Sequence, residues 1–201
     1  MQDSNLKKFK TVENLAKAFV GECMARNRYT FYASTAKKEG YEQISEIFTI
    51  TADNEREHAS WFYKMLMEIR DKYNIDLSDL KIETHVPVLR ASTLENLKGA
   101  IIGETEEFSM LYPEFAKVAE EEGFKEIAAR IRAIAVAEKH HAERYSKLRK
   151  ELEQGSLFKK EKEIFWVCRE CGYVHYGTEP PEKCPSCGHE RGFYQVMCEN
   201  Y

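Results

Sequence analysis

Residues 131–152 read IRAIAVAEKHHAERYSKLRKEL. Within them Ile131, Ile134, Glu138, His141, Tyr145, Leu148 and Leu152 follow one another at alternating steps of three and four. That is the spacing of a single face of an α-helix, and an apolar face turns to a core. Glu138 and His141 sit in the middle of the stripe. An acid there must be paired, because an isolated buried charge costs several kcal/mol or more.

Three more segments repeat the pattern. One places Leu15, Ala18, Glu22 and Tyr29 on a face, and another Phe48, Thr51, Glu55, His58, Phe62 and Met65. The third carries Leu97, Ile101, Glu104, Glu107, Leu111 and Phe115. Helices are expected near 11–39, 41–72, 92–121 and 123–153, with Gly40, Gly123 and Gly155 marking ends and Thr93 as a cap of the third. Tight links join the first two and the last two, and residues 73–91 are long enough to cross between the pairs. An up-down pair, a crossover and a second up-down pair make a ferritin-like four-helix bundle.

The halves repeat one another. Glu22 precedes Glu55 by 33 residues and Glu104 precedes Glu138 by 34, and Glu55 and Glu138 each open Glu-x-x-His, with His58 and His141. In each helix the polar residues fall near the midpoint, so antiparallel packing brings them to one level. Arginines at 26, 28 and 130 are too few there to neutralise five acids, and cations are required. One Glu from each of two helices plus Glu-x-x-His from each of the other two is the ligand pattern of ferritin-like di-iron and di-manganese sites. Carboxylate and imidazole suit iron or manganese. Four carboxylates balance two Fe²⁺, so Glu107, beyond the minimal set, is expected to bind mainly in the oxidised state in place of neutral His58. Tyr29 and Tyr112 read either as core aromatics or as hydroxyl donors to bound carboxylates. His140, His85, His175 and His189 are expected to lie outside the ligand sets, Glu57, Glu106 and Glu120–Glu122 in solvent, and Cys23 and Cys198 buried.

The C-terminal part is of another kind. Cys168-x-x-Cys171 and Cys184-x-x-Cys187 are two knuckles around one tetrahedral metal. Spacing alone leaves zinc and iron open; the neighbouring bundle favours iron, which relays single electrons. Trp166, Tyr173, Tyr176, Phe193 and Tyr194 are the expected packing residues. Domains are placed at 1–153 (bundle), 154–165 (linker) and 166–201 (cysteine module).

A net charge of −4 without a basic stripe argues against nucleic acid. No run approaches the ~20 apolar residues of a membrane span. The N-terminus lacks an apolar signal region, and a cytoplasmic location is expected.

Several stretches resemble rubrerythrin: GECMARNRY at 21–29, ADNEREH at 52–58, GETEEF at 103–108, AVAEKHH at 135–141, CRECGY at 168–173 and CPSCG at 184–188. The resemblance covers nearly the whole chain. It implies a non-haem di-iron peroxidase that reduces hydrogen peroxide to water in oxidative-stress defence. Electrons would enter through a rubredoxin-like iron from rubredoxin or an NAD(P)H-dependent reductase. It implies di-iron ligands Glu22, Glu55, Glu104, Glu107, Glu138 and His141, with His58 in the reduced state, and a single iron on Cys168, Cys171, Cys184 and Cys187. It also implies a homodimer with the iron module of one subunit near its neighbour's bundle. The twelve residues between the cysteine pairs are fewer than in free-standing rubredoxins. The alternatives are a ferroxidase or iron-handling protein, and a metal-stabilised interaction protein bearing a zinc ribbon.

Overall fold

The computed structural model describes residues 9–199. Helix α1 spans Lys10–Lys38 and α2 spans Glu42–Tyr73. The third rod is compound: α3 (Thr93–Glu106) runs through a π-helical turn (Glu107–Leu111) into α4 (Tyr112–Glu121). Helix α5 spans Lys125–Glu153. α1 packs along α2, and α3 and α4 along α5. The two hairpins, joined by the crossover, make a ferritin-like bundle. Gly40 and Gly123, at φ +80° and +88°, end α1 and α4 in the left-handed conformation that glycine adopts without steric penalty. No helix among the described residues is long and apolar enough to cross a membrane.

The core is split in two. One shell gathers Val12, Leu15, Phe62, Met65, Ile69, Ile127 and Ile131; the other gathers Tyr32, Ile44, Phe48, Leu97, Tyr145 and Leu148. The acids of all four rods lie between them. The apolar stripes therefore close over the polar level from both ends and hold it at mid-height.

Two expectations about the third rod are corrected. Ser92, not Thr93, is the N-cap, and its hydroxyl accepts from the Glu95 amide at 3.4 Å. Ser-x-x-Glu is the capping-box spacing, one residue earlier than expected. The buried stripe also changes register. Leu111 is exposed and Phe115 half-buried, whereas Tyr112, Ala116 and Ala119 are buried. A π turn adds a residue without advancing the face, so every later position moves on by one.

The expectation for Glu122 also fails. Its carboxylate accepts from the Lys10 and Thr11 amides at 2.8 and 2.9 Å and so satisfies the open N-terminus of α1. Cys23 is half-buried and Cys198 exposed, so neither is the core residue expected.

After α5 the chain forms a three-stranded antiparallel sheet, order β2-β1-β3, from β1 (Ile164–Cys168), β2 (Val174–Gly177) and β3 (Tyr194–Val196). Trp166 and Tyr194 are fully buried against Cys168 and Cys184, with Tyr173 and Phe193 packed beside them. Tyr176 is instead exposed and lies against Phe165 outside this small core. β1 and β2 alternate faces, which puts these paired rings on the solvent side. The sheet rests on the α2 end of the bundle, where Arg169 pairs with Glu46 and Gly192 sits against Gly40.

Candidate metal centres

At the middle of the bundle Glu22, Glu55, Glu104 and Glu138 are each at most 1% exposed and His141 3%. They come from α1, α2, α3 and α5. Their ligand atoms, with His58, form two clusters, Glu22–Glu55–His58–Glu138 and Glu55–Glu104–Glu138–His141. Glu55 and Glu138 belong to both. His58 Nδ1 lies 2.9 Å from Glu55 Oε2 and 2.8 Å from Glu138 Oε1. His141 Nδ1 lies 3.3 Å from Glu55 Oε1, 2.9 Å from Glu138 Oε2 and 3.4 Å from Glu104 Oε2. Each shared carboxylate thus turns one oxygen to each histidine. The i,i+3 spacing of Glu-x-x-His brings acid and imidazole to one side of their helix.

Glu22 and Glu104 each belong to one cluster, and a tyrosine from the opposite hairpin holds each of them. Tyr29 donates its hydroxyl to Glu104 Oε1, and Tyr112 donates to Glu22 Oε1. The second oxygens, Oε2 of both, face the clusters with no hydrogen bond. The arrangement is crossed: the α1 tyrosine serves the α3 acid, and the α4 tyrosine serves the α1 acid. The spacing Glu22–Tyr29 is seven residues and Glu104–Tyr112 is eight. The π turn absorbs the extra residue and keeps Tyr112 on the inner face. That one-residue mismatch in the repeat was the sequence signal for the turn.

The residues fit a pair of hard cations. Both oxygens of Glu55 and Glu138, and Nδ1 of both histidines, are buried without a hydrogen-bond partner. Their close approaches lack donor geometry, so lone pairs converge with nothing from the protein to receive them. Octahedral donors about 2.1 Å from an ion lie ~3 Å from one another, the spacing found here. The acid–base balance agrees. Burial, with Glu138 and Glu55, pushes the Glu22 carboxyl well up. Burial carries Glu104 to about 8 against the opposing effect of His141. Burial works against charge on His58 and His141, but the surrounding carboxylates outweigh it and raise them to about 9 and about 12. Such a site gathers positive charge, as protons or as metal ions.

Glu107 stands apart. It opens the π turn, is half-buried and belongs to neither cluster. Burial and Glu104 push its carboxyl well up, while Arg28 acts in the opposite direction. His140 and His85 are exposed.

In the small sheet the four cysteine sulfurs converge within 4.8 Å. Cys168 and Cys187 are 3.8 Å apart and Cys171 and Cys184 3.6 Å. A tetrahedron with metal–sulfur bonds of ~2.3 Å has edges of about 3.8 Å. The knuckles are copies: the Cys168 amide donates to Tyr173 O and the Cys184 amide to His189 O, both at 2.8 Å. Gly172 and Gly188 close them at φ +75° and +76°. His189, expected to lie outside the ligand set, places Nδ1 3.3 Å from Cys187 Sγ.

A ferritin-like bundle with a carboxylate–histidine di-iron site, joined to a four-cysteine rubredoxin-like site, defines a class of two-centre redox proteins. Comparison with known proteins narrows this. Residues 13–149 match the family described as "Rubrerythrin" and residues 166–195 that described as "Rubrerythrin, rubredoxin-like domain". The "Putative rubrerythrin" of Methanocaldococcus jannaschii is 58% identical over 192 residues, 95% of this chain and 94% of that protein. The "Rubrerythrin" of Clostridium perfringens is 50% identical over 198 residues, 98% of this chain and 99% of that protein. Among solved structures, "Fully reduced state of nigerythrin (all ferrous)" matches with TM-score 0.62 and 30% identity over 96% of this chain and 94% of the other. The chain belongs to the rubrerythrin family.

Proposed function

We propose that this protein is a peroxidase that reduces hydrogen peroxide to two waters, consuming two electrons and two protons. An external NAD(P)H-linked donor, rubredoxin or a reductase, supplies the electrons, and they enter through the four-cysteine site. The observation that carries this reading is the sharing of Glu55 and Glu138 between two clusters in a chain that also holds a thiolate site. Zinc on thiolates has no redox chemistry, and iron storage alone has no use for a second, one-electron centre.

In this reading Glu22, Glu55, His58, Glu104, Glu138 and His141 hold the metal pair, with Glu107 as a further carboxylate. Cys168, Cys171, Cys184 and Cys187 hold the single iron. The pair, when bound, supplies Lewis acidity and two electrons for O–O cleavage. The chain does the rest. Glu55 and Glu138 span the two clusters and set their separation. Tyr29 and Tyr112 fix Glu104 and Glu22 so that one oxygen of each faces inward. The apolar shells exclude water above and below. The resemblance to rubrerythrin further suggests a cytoplasmic homodimer, a mass that size-exclusion chromatography reads directly and that separates it from a cage-forming ferroxidase.

Cys168→Ser tests the relay. Steady-state peroxide reduction with an external donor is expected to fall to background, while the reduced bundle still consumes one equivalent of peroxide. Undiminished turnover in this variant refutes the route. Metal analysis with a visible spectrum tests the centres, since iron on four thiolates is red when oxidised and a zinc ribbon is colourless.

A further inference from the structure

The two shared carboxylates stand on different hairpins, Glu55 on α2 and Glu138 on α5. No loop joins these two helices directly. The distance between them is therefore set by side chains that cross the seam. Two such clasps flank the level of the acids. On one side Arg144 Nη2 donates to Thr51 Oγ1 at 2.6 Å. Thr51 is fully buried one turn before Glu55, and its own hydroxyl donates to Ile47 O at 2.8 Å, which leaves its oxygen to accept from Arg144. The Phe48 and Tyr145 rings meet beside this bond, with centroids 5.0 Å apart. On the other side the Arg130 guanidinium carbon lies 3.9 Å from the centroid of the Trp61 ring, and Lys64 Nζ lies 4.5 Å from the same centroid. The clasps follow the internal repeat. Trp61 comes three residues after His58 and Arg144 three residues after His141. The i,i+3 spacing sets each of them on the side of its helix that carries the histidine. In each half, then, the residue three beyond the histidine reaches across to the other half.

A single cation between α2 and α5 lets the helices settle around it. Two cations do not, because Glu55 and Glu138 must then each turn one oxygen to either ion at the same time, and that fixes the separation of their helices. We infer that Arg144 and Trp61 are positioning residues which, through Thr51 and Arg130, hold α2 and α5 at the separation where Glu55 and Glu138 serve two cations at once. This rests on the metal-pair reading proposed above. Neither clasp touches an ion; each acts through the helix that carries a shared acid, as groups behind a ligand commonly do.

A double-mutant cycle on the full chain, its cysteine module filled with zinc, tests the inference. Co²⁺ is titrated into the bundle and its two binding steps are followed by visible absorption in wild type, Thr51→Val, Arg144→Met and the double variant. Valine keeps the shape of threonine without the hydroxyl. Each single variant is expected to weaken the second step roughly tenfold and the first less than about threefold, with no further loss in the double variant, as for a contacting pair. Thr51→Ser, which keeps the hydroxyl, is expected to restore the wild-type second step. Trp61→Leu, which removes the ring at the other clasp, is expected to weaken the second step in the same way. Equal losses in both steps overturn the inference, because the clasps then serve stability alone. So does an unchanged second step in the variants of either clasp, or losses that simply add in the double variant. Wild type that takes up fewer than two Co²⁺ ions in the bundle refutes the metal-pair reading itself; two ions bound with no selective loss in the variants refutes only the role of the clasps.

Discussion

At the scale of single residues, the site depends on acids that are held as well as buried. Tyr29 and Tyr112 take one oxygen each of Glu104 and Glu22 and leave the other for a cation. Tyr29→Phe removes a hydroxyl that nothing replaces and leaves Glu104 Oε1 unpartnered in the core. Metal affinity is expected to fall ten- to hundredfold, as for other groups that orient a ligand. Stability of the metal-free protein is expected to fall by about 1–3 kcal/mol. Metal titration and thermal unfolding read the two effects; unchanged affinity contradicts an orienting role. The acids and imidazoles of this site were legible in the sequence because each stands out against an apolar stripe. The division of Glu55 and Glu138 between two clusters was not, since a spacing of three or four residues says which face a side chain takes and not what it meets there.

At the scale of elements, the π turn at Glu107–Leu111 is an inserted residue that the third rod tolerates. Deleting Ser109, which is exposed, converts it to plain α-helix and leaves Tyr112, Ala116 and Ala119 facing inward. Helix content and melting temperature are expected to stay within a few degrees of wild type. Deleting Ala100 from regular helix instead turns the Glu104 side chain by about 100° out of the core, and is expected to abolish cooperative folding. Circular dichroism melts distinguish the two, and equal damage from both deletions contradicts the insertion reading. The C-terminal end of α5 has its own tie: Glu151 accepts from Ser156 at 2.8 Å and pairs with Lys160. Burial works to raise the Glu151 carboxyl, but Lys160 and Ser156 outweigh it and hold it below the ordinary 4.5. A depressed carboxyl contributes stability that is complete above its unfolded value and is lost as pH falls through the folded one. Glu151→Gln is therefore expected to lower the melting temperature slightly at pH 7 and progressively less as the pH falls below the ordinary carboxyl value. The effect is small because the pair is partly exposed.

At the scale of the whole molecule, the two centres are kept apart on separate elements, and the small sheet has a defined seat on the bundle. Gly192 meets Gly40 so closely that a Cβ at 192 would lie 2.1 Å from the Gly40 carbonyl oxygen. Gly192→Ala is expected to unseat the sheet, breaking the Arg169–Glu46 pair, while both metal centres still load. Small-angle scattering would show an extended particle, and an unchanged profile would contradict the contact. This approach was not legible in the sequence. Gly40 reads there only as a helix end, and its meeting with Gly192 depends on how the linker turns.

The order of elements, the level of the buried acids and the convergence of the four cysteines follow from the sequence alone, because helical periodicity and C-x-x-C spacing are local properties of a chain. Only the tertiary structure decided the crossed tyrosine bonds, the sharing of two carboxylates and the shifted stripe beyond Glu107. Each of these joins residues tens of positions apart or depends on one unpaired backbone step, and what settles them is the packing of one hairpin on the other.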